Sequence, residues 1–351
     1  MDRKLDTVSQ RRMLRVFEGE ALSPPPIWLM RQAGRYLPEY RATREQAGGF
    51  LNLCYTPALA AEVTLQPIRR YGFDAAILFA DILVVPDALG QKVWFAEGEG
   101  PRLEPLFSQT EIAGLSVERA KTKFEIIADS VQRIRQALPP EAALIGFCGA
   151  PWTVATYMIA GQGSSDQAAA RLLAYKDPEA FKKLLDVLVE ASIIYLDLQI
   201  KAGADLVQIF DSWAGTLPDG EFEAWVVEPT KALVQGVKAM HPKTPVIGFP
   251  RGAGSRSYGY AKATGVDAVG CDTAMPLEEI RAHLSGKTVV QGNLDPLLLV
   301  AGGKAMDARI DEILTALRPN PFIFNLGHGI VPQTPPENVA RLVERVRKAG
   351  N

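Results

Sequence analysis

Soft metal ligands are scarce in this 351-residue chain, which has three cysteines and three histidines. Cys54, Cys148 and Cys271 lie far apart with no Cys-x-x-Cys pair, and none of His241, His283 and His328 has a cysteine two residues on. This gives no support to a zinc site or a disulfide framework, and it fits a reducing compartment. No apolar run reaches the roughly eighteen residues a membrane helix needs. Met1 to Asp6 carries mixed charge without the apolar core of a signal peptide, so a cytoplasmic, membrane-free protein is expected. A net charge of -2 excludes a broad basic surface, so no nucleic-acid partner is expected, and attraction for an anion must be local to a cleft. There is no Gly-x-Gly-x-x-Gly after a strand and no Gly-x-x-x-x-Gly-Lys-Ser/Thr. Also missing are a Ser/His/Asp triad at recognisable spacing and an obvious Schiff-base lysine.

What is present is an ordinary globular composition, 47% hydrophobic and 22% charged. Eight apolar runs of four to eight residues recur: 27–30, 75–80, 143–148, 206–210, 246–249, 268–271, 288–291 and 322–326. Their continuous hydrophobicity suits strands buried on both faces of a parallel sheet. Helical segments are expected at 7–17, 57–70, 117–138, 178–202, 221–240, 276–284, 307–317 and 335–348, several opening with proline. Strand then helix, eight times over without a linker, predicts one (β/α)8 TIM-barrel domain spanning residues 1–351. The alternative is an open doubly wound sheet, which lacks its usual glycine-rich loop. A β-hairpin inserted after the second strand is expected at 92–95 and 102–104.

The most unusual stretch follows the first strand: Arg31, Arg35, Arg41 and Arg44 fall within fourteen residues that contain one carboxylate, Glu39. It reads as an N-terminal basic loop. Such a loop is commonly solvated, but arginines at the carboxyl end of a parallel strand stand where α/β folds build ligand sites, and the guanidinium fork suits carboxylate or phosphate. The other strand ends carry Asp81, Gly149 to Trp152, Asp211 with Ser212, Arg251, Asp272, Asn293 with Asp295, and His328 between two glycines. Asp81, Asp211 and Asp272 either serve a ligand or cap loop amides. Tyr157, on the helix opening at Pro151, is either core or site. The Gly161 to Ser165 and Gly252 to Ser255 stretches are either plain loops or anion cradles. Together these groups would hold a polycarboxylate and stabilise a cation beside Asp81.

Pro26-Ile27-Trp28-Leu29-Met30-Arg31-Gln32-Ala33-Gly34-Arg35-Tyr36-Leu37-Pro38-Glu39-Tyr40-Arg41 resembles the N-terminal signature of the uroporphyrinogen decarboxylase family. Gly146 to Thr153 (GFCGAPWT) resembles its second signature, and Phe79 to Leu83, Asp211 to Gly215 and Asn325 to Gly329 match in order. The resemblance implies a cofactor-free, metal-free barrel enzyme of the bacterial cytosol, usually a homodimer. Its reaction would remove the four acetate carboxyls of uroporphyrinogen III to leave coproporphyrinogen III. It puts Arg31, Arg35, Asp81, Tyr157, Ser212 and His328 on active-site positions and Arg44 on a further substrate-binding arginine. Asp81 would stabilise a protonated pyrrole. Arg31 and Arg35 would bind side-chain carboxylates, one of them delivering a proton, and His328, Ser212 and Tyr157 would orient the tetrapyrrole. The loop at 161–166 departs from the family pattern. Two rivals are a zinc-dependent methyltransferase of the same superfamily, whose His-x-Cys pair is missing, and a non-catalytic tetrapyrrole-binding scaffold.

Overall fold

The computed structural model describes residues 11–96 and 100–348. Seven strands form a curled parallel sheet in which each pairs with the next: β1 (Ala75–Ile77), β4 (Ala143–Gly149), β5 (Leu206–Asp211), β6 (Val246–Pro250), β7 (Ala268–Gly270), β8 (Val289–Leu294) and β9 (Phe322–Leu326). The separate antiparallel pair is β2 (Val93–Ala96) with β3 (Gly100–Leu103). This pair overlaps the segments 92–95 and 102–104 expected to form the hairpin, and residues 97–99 lie outside the described residues. Of the first predicted helix, Arg12–Arg15 and a tight turn Val16–Glu18 are seen, and residues 7–10 lie outside the described set.

Every residue of β4 is buried, as expected of a strand covered on both faces. The helices supply the cover. In Val117–Ala137 the buried residues Ala120, Phe124, Ile127, Val131 and Ile134 recur at spacings of three and four, so one stripe faces inward. Phe124 meets Tyr195 of helix Pro178–Ala202 at 4.7 Å between ring centroids. That longer helix starts with a cap, the Asp177 carboxylate accepting from the Ala180 amide at 3.0 Å, followed by Pro178 at its first position. No described helix is long and apolar enough to cross a membrane.

The strand expected at 27–30 is reduced to a single bridge, Ile27 to Phe324. Three of its four amides are satisfied by side chains. The Ile27 amide donates to Asp74 Oδ2 at 2.8 Å, the Leu29 amide to Gln32 Oε1 at 3.0 Å and the Met30 amide to Asn325 Oδ1 at 3.0 Å. The segment nevertheless bonds both edges of the sheet: Phe324 N–H donates to Pro26 O at 2.9 Å and Asp74 N–H to Ile27 O at 2.9 Å. A second correction concerns the basic loop. After a turn at 31–37 it becomes a helix, Pro38–Gln46, with proline at its first turn and Tyr40 and Thr43 buried. A third concerns 221–240, which runs from an α-turn at Asp219–Phe222 through a π-turn at Glu223–Val227 into helix Glu228–Met240, where Pro229 has no N–H to continue the α-ladder.

Candidate active site

At the carboxyl ends of the sheet strands a cleft of about 970 Å³ opens. Its lining brings together the seven residues that the resemblance puts at the site: Arg31, Arg35, Arg44, Asp81, Tyr157, Ser212 and His328. Pockets at the upper end of the few-hundred to one-thousand Å³ range suit ligands of drug size or above.

The arginines come from the turn and helix after Ile27. Arg31 is held in the left-handed region at φ 61°, an uncommon conformation for a residue with a side chain. Its neighbours fix it: Gln32 N–H donates to Leu29 O at 3.0 Å, and Ile330 N–H donates to Met30 O at 2.9 Å. Arg31 and Arg35 are both exposed to the cleft. Arg41 turns back instead, donating to Arg35 O at 2.8 Å, and thereby braces the turn. Arg44 stacks over Phe50 at 5.0 Å, and its buried Nη1 has no hydrogen-bond partner among the described residues.

Asp81 ends the segment after β1. Its Oδ1 accepts from the Leu83 amide at 2.8 Å, so it does cap a loop, but Oδ2 has no hydrogen-bond partner among the described residues. Burial pushes its carboxyl up to about 6, against the pull of the Leu83 amide and the Arg31 charge. Tyr157 lies on helix Pro151–Ala160, and its phenol is raised chiefly by burial. His328 follows β9, stacks on Phe249 at 6.5 Å and has a buried Nδ1 with no partner among the described residues. Burial and the charges of Arg31 and Arg251 push it down to about 4, so it is a neutral imidazole at neutral pH.

Other strand-end groups serve the scaffold. Asp272 accepts from Gly252 N–H at 2.6 Å and Ala274 N–H at 2.8 Å, using both oxygens. The Gly252 loop therefore already cradles a carboxylate of its own chain. At the other candidate cradle, Gly161 ends the Tyr157 helix at φ 71°, and Asp166 accepts from Ser164 and the Ala168 amide. That loop adds negative charge. His241 pairs with Asp197 and His283 with Glu279, the three cysteines are buried, and among the described residues no three His, Cys, Asp or Glu side chains are grouped to hold a metal ion.

Sequence reasoning missed the apolar lining, Phe50, Phe79, Phe147 and Phe210 among it. Its signal was weak but present, since Phe210 directly precedes Asp211 and Phe79 stands two before Asp81. It placed Arg251 at a strand end without a role; the side chain donates to Ser212 O at 3.4 Å and its charge reaches His328.

An apolar lining, three guanidiniums, the carboxyls of Asp81 and Glu45 and a neutral histidine at the ends of parallel strands define a class: an α/β protein with a cleft for a large, partly apolar polyanion. The uroporphyrinogen decarboxylase (URO-D) family matches residues 8–349, and the chain belongs to that family. Proteins named uroporphyrinogen decarboxylase are similar along their length. The one from Brucella anthropi is 56% identical over 338 residues, covering 96% of this chain and 98% of that protein. The one from Sinorhizobium fredii is 57% identical over 339 residues, covering 97% and 98%. Among solved structures, a methyltransferase from Methanosarcina mazei shares the fold, with a TM-score of 0.74 at 18% identity over 97% of this chain and 98% of that one. A B12-independent methionine synthase from Shewanella sp. W3-18-1 does so with a TM-score of 0.55 at 10% identity, over 85% and 89%.

Proposed function

We propose that this chain decarboxylates the four acetate side chains of uroporphyrinogen III to give coproporphyrinogen III, in tetrapyrrole biosynthesis. The observation that carries the reading is the convergence of Arg31, Arg35, Arg44, Asp81, Tyr157, Ser212 and His328 on one cleft in a member of this family.

Loss of CO₂ leaves an electron pair on carbon that needs a sink, and many decarboxylases borrow a cofactor for this. Here the substrate is its own sink. Protonation of a pyrrole ring carbon gives an iminium-like cation. The C–CO₂ bond then breaks toward it, a second proton delivered to the resulting methylene completes the methyl group, and loss of the first proton from the ring carbon restores the pyrrole, so that one proton is consumed per CO₂ released. Asp81, largely ionised at neutral pH, accepts hydrogen bonds from pyrrole N–H groups through its free Oδ2 and stabilises the cation. Preorganised electrostatic contacts of this kind are worth on the order of 10² to 10³ in rate. Arg31 and Arg35 bind acetate or propionate carboxylates, about 1.5 to 3 kcal/mol each for a charge-assisted contact. Arg44, with its unpartnered Nη1 in the cleft wall, takes a further carboxylate. Tyr157, Ser212 and the neutral His328 orient the ring.

The fold that serves this chemistry is a closed eight-stranded (β/α)8 barrel forming one domain, a reading supported by the bonds of residues 26–28 to both sheet edges. The protein works as a cytoplasmic homodimer, which sedimentation of the purified chain tests. The reaction is tested by anaerobic incubation with uroporphyrinogen III, oxidation, and chromatography of the porphyrins, with and without a chelator. Products with seven down to four carboxylates are expected in both arms. No product in either would overturn the reading.

A further inference from the structure

Of three strand-end aspartates, Asp211 alone is neither in the cleft lining nor bonded to a loop amide through its side chain. It is 0% exposed, and so is Thr153 on the helix opposite. The Thr153 hydroxyl donates to Asp211 Oδ1 at 2.5 Å, while the same oxygen accepts from the Trp213 amide at 3.1 Å. A hydroxyl has one proton, so an acceptor at 211 decides the rotor and leaves the lone pair for Trp213. The Trp152 indole donates to Trp213 O at 3.1 Å, so the first turn of helix Pro151–Ala160 holds Trp213 by both its backbone groups. Two cleft residues hang on this clamp. Ser212 lies between Asp211 and Trp213. Tyr157 stands one turn beyond Thr153, its ring 6.4 Å from that of Trp213.

We propose that Asp211 and Thr153 are a positioning pair for the reaction, setting the Ser212 hydroxyl and the Tyr157 phenol at the separation the substrate requires. Neither touches substrate. The role rests on the decarboxylase reading, because that reading gives Ser212 and Tyr157 their ligand. Small misplacement of orienting groups is costly in rate, while the buried pair contributes to stability as any such hydrogen bond does.

The test uses Thr153→Val, which keeps the shape and deletes the hydroxyl, and Thr153→Ala should Val not fold. Either is expected to lower kcat/KM for uroporphyrinogen III by about 10- to 100-fold, with Thr153→Ser restoring activity to within about threefold. A residue acting through others must be non-additive with them. In a Ser212→Ala/Tyr157→Phe background the same Thr153 change is therefore expected to cost less than about threefold. A lowered Tm with unchanged kcat/KM, or a full additive loss in that background, overturns the pair. Wild-type protein that makes no product fails the decarboxylase reading instead, so the two failures are distinguishable.

Discussion

Gly329 and Arg31 are fitted to one another: a Cβ added at 329 would stand 2.4 Å from Arg31 Cδ and 2.7 Å from its Cγ. The contact is with the middle of the arginine stem, so the side chain has to move as a whole to relieve it. Arg31 is also fixed at φ 61°, which leaves its backbone little freedom to follow. Glycine after His328 is thus a requirement of the arginine's placement. Gly329→Ala should push the guanidinium off its carboxylate and raise KM about tenfold or more, the equivalent of one charge-assisted contact. Steady-state kinetics at fixed ionic strength checks it. An unchanged KM with intact circular dichroism would remove Arg31 from the substrate site.

Asp81→Asn separates the two functions of that residue. The asparagine carbonyl still accepts from the Leu83 amide, so the turn before helix Val84–Leu89 stays formed and Tm should move little. The charge facing the pyrroles is lost. Turnover should fall by about 10² to 10³, the scale of a removed electrostatic stabiliser, while binding of the octacarboxylate is largely kept. Near-normal turnover would refute the assignment.

How much of this was legible in the sequence varies by residue and for physical reasons. The alternation of strands and helices was readable because strands such as β4 are buried on both faces and so read as unbroken apolar runs. The cleft residues were readable because parallel α/β folds gather polar groups at strand ends. The reduction of the strand at 27–30 to a bridge was not, since three of its amides go to Asp74, Gln32 and Asn325, and those partners are far away or of unremarkable type. Helix Pro38–Gln46 hid behind its arginines, having only Tyr40 and Thr43 buried. Asp81, Asp211 and Asp272 look alike in sequence and meet three fates. One faces the cleft, one is locked to Thr153, and one ties down the Gly252 turn. Only the tertiary neighbours distinguish them.

The pH dependence of kcat/KM should report Asp81. Its carboxyl sits at about 6 in the free protein and works ionised, so activity should rise as pH passes through that value and then level. His328, pushed down to about 4, is already neutral over that range. His328→Asn should therefore lower the plateau without moving the midpoint. A midpoint that disappears in the His328 variant would transfer the titration to the histidine.

Asp211 offers a stability test with the opposite slope from a salt-bridged carboxylate. Burial pushes it up to about 7, and the Thr153 hydroxyl opposes this only in part. The unfolded chain releases that proton near the ordinary value of about 3.9. Between these two values the folded state binds more protons than the unfolded one, so this group's contribution to stability falls as pH rises and is fully lost above about 7. Asparagine at 211 keeps an acceptor for Thr153 and cannot ionise. The stability of Asp211→Asn relative to the parent should consequently improve by about 2 to 3 kcal/mol between pH 5 and pH 8, at roughly 1.4 kcal/mol per pH unit of uncompensated titration. Denaturant melts of both proteins at several pH values measure the difference. A difference that stays flat across that range would mean that Asp211 keeps its charge in the folded protein, held by a partner other than Thr153.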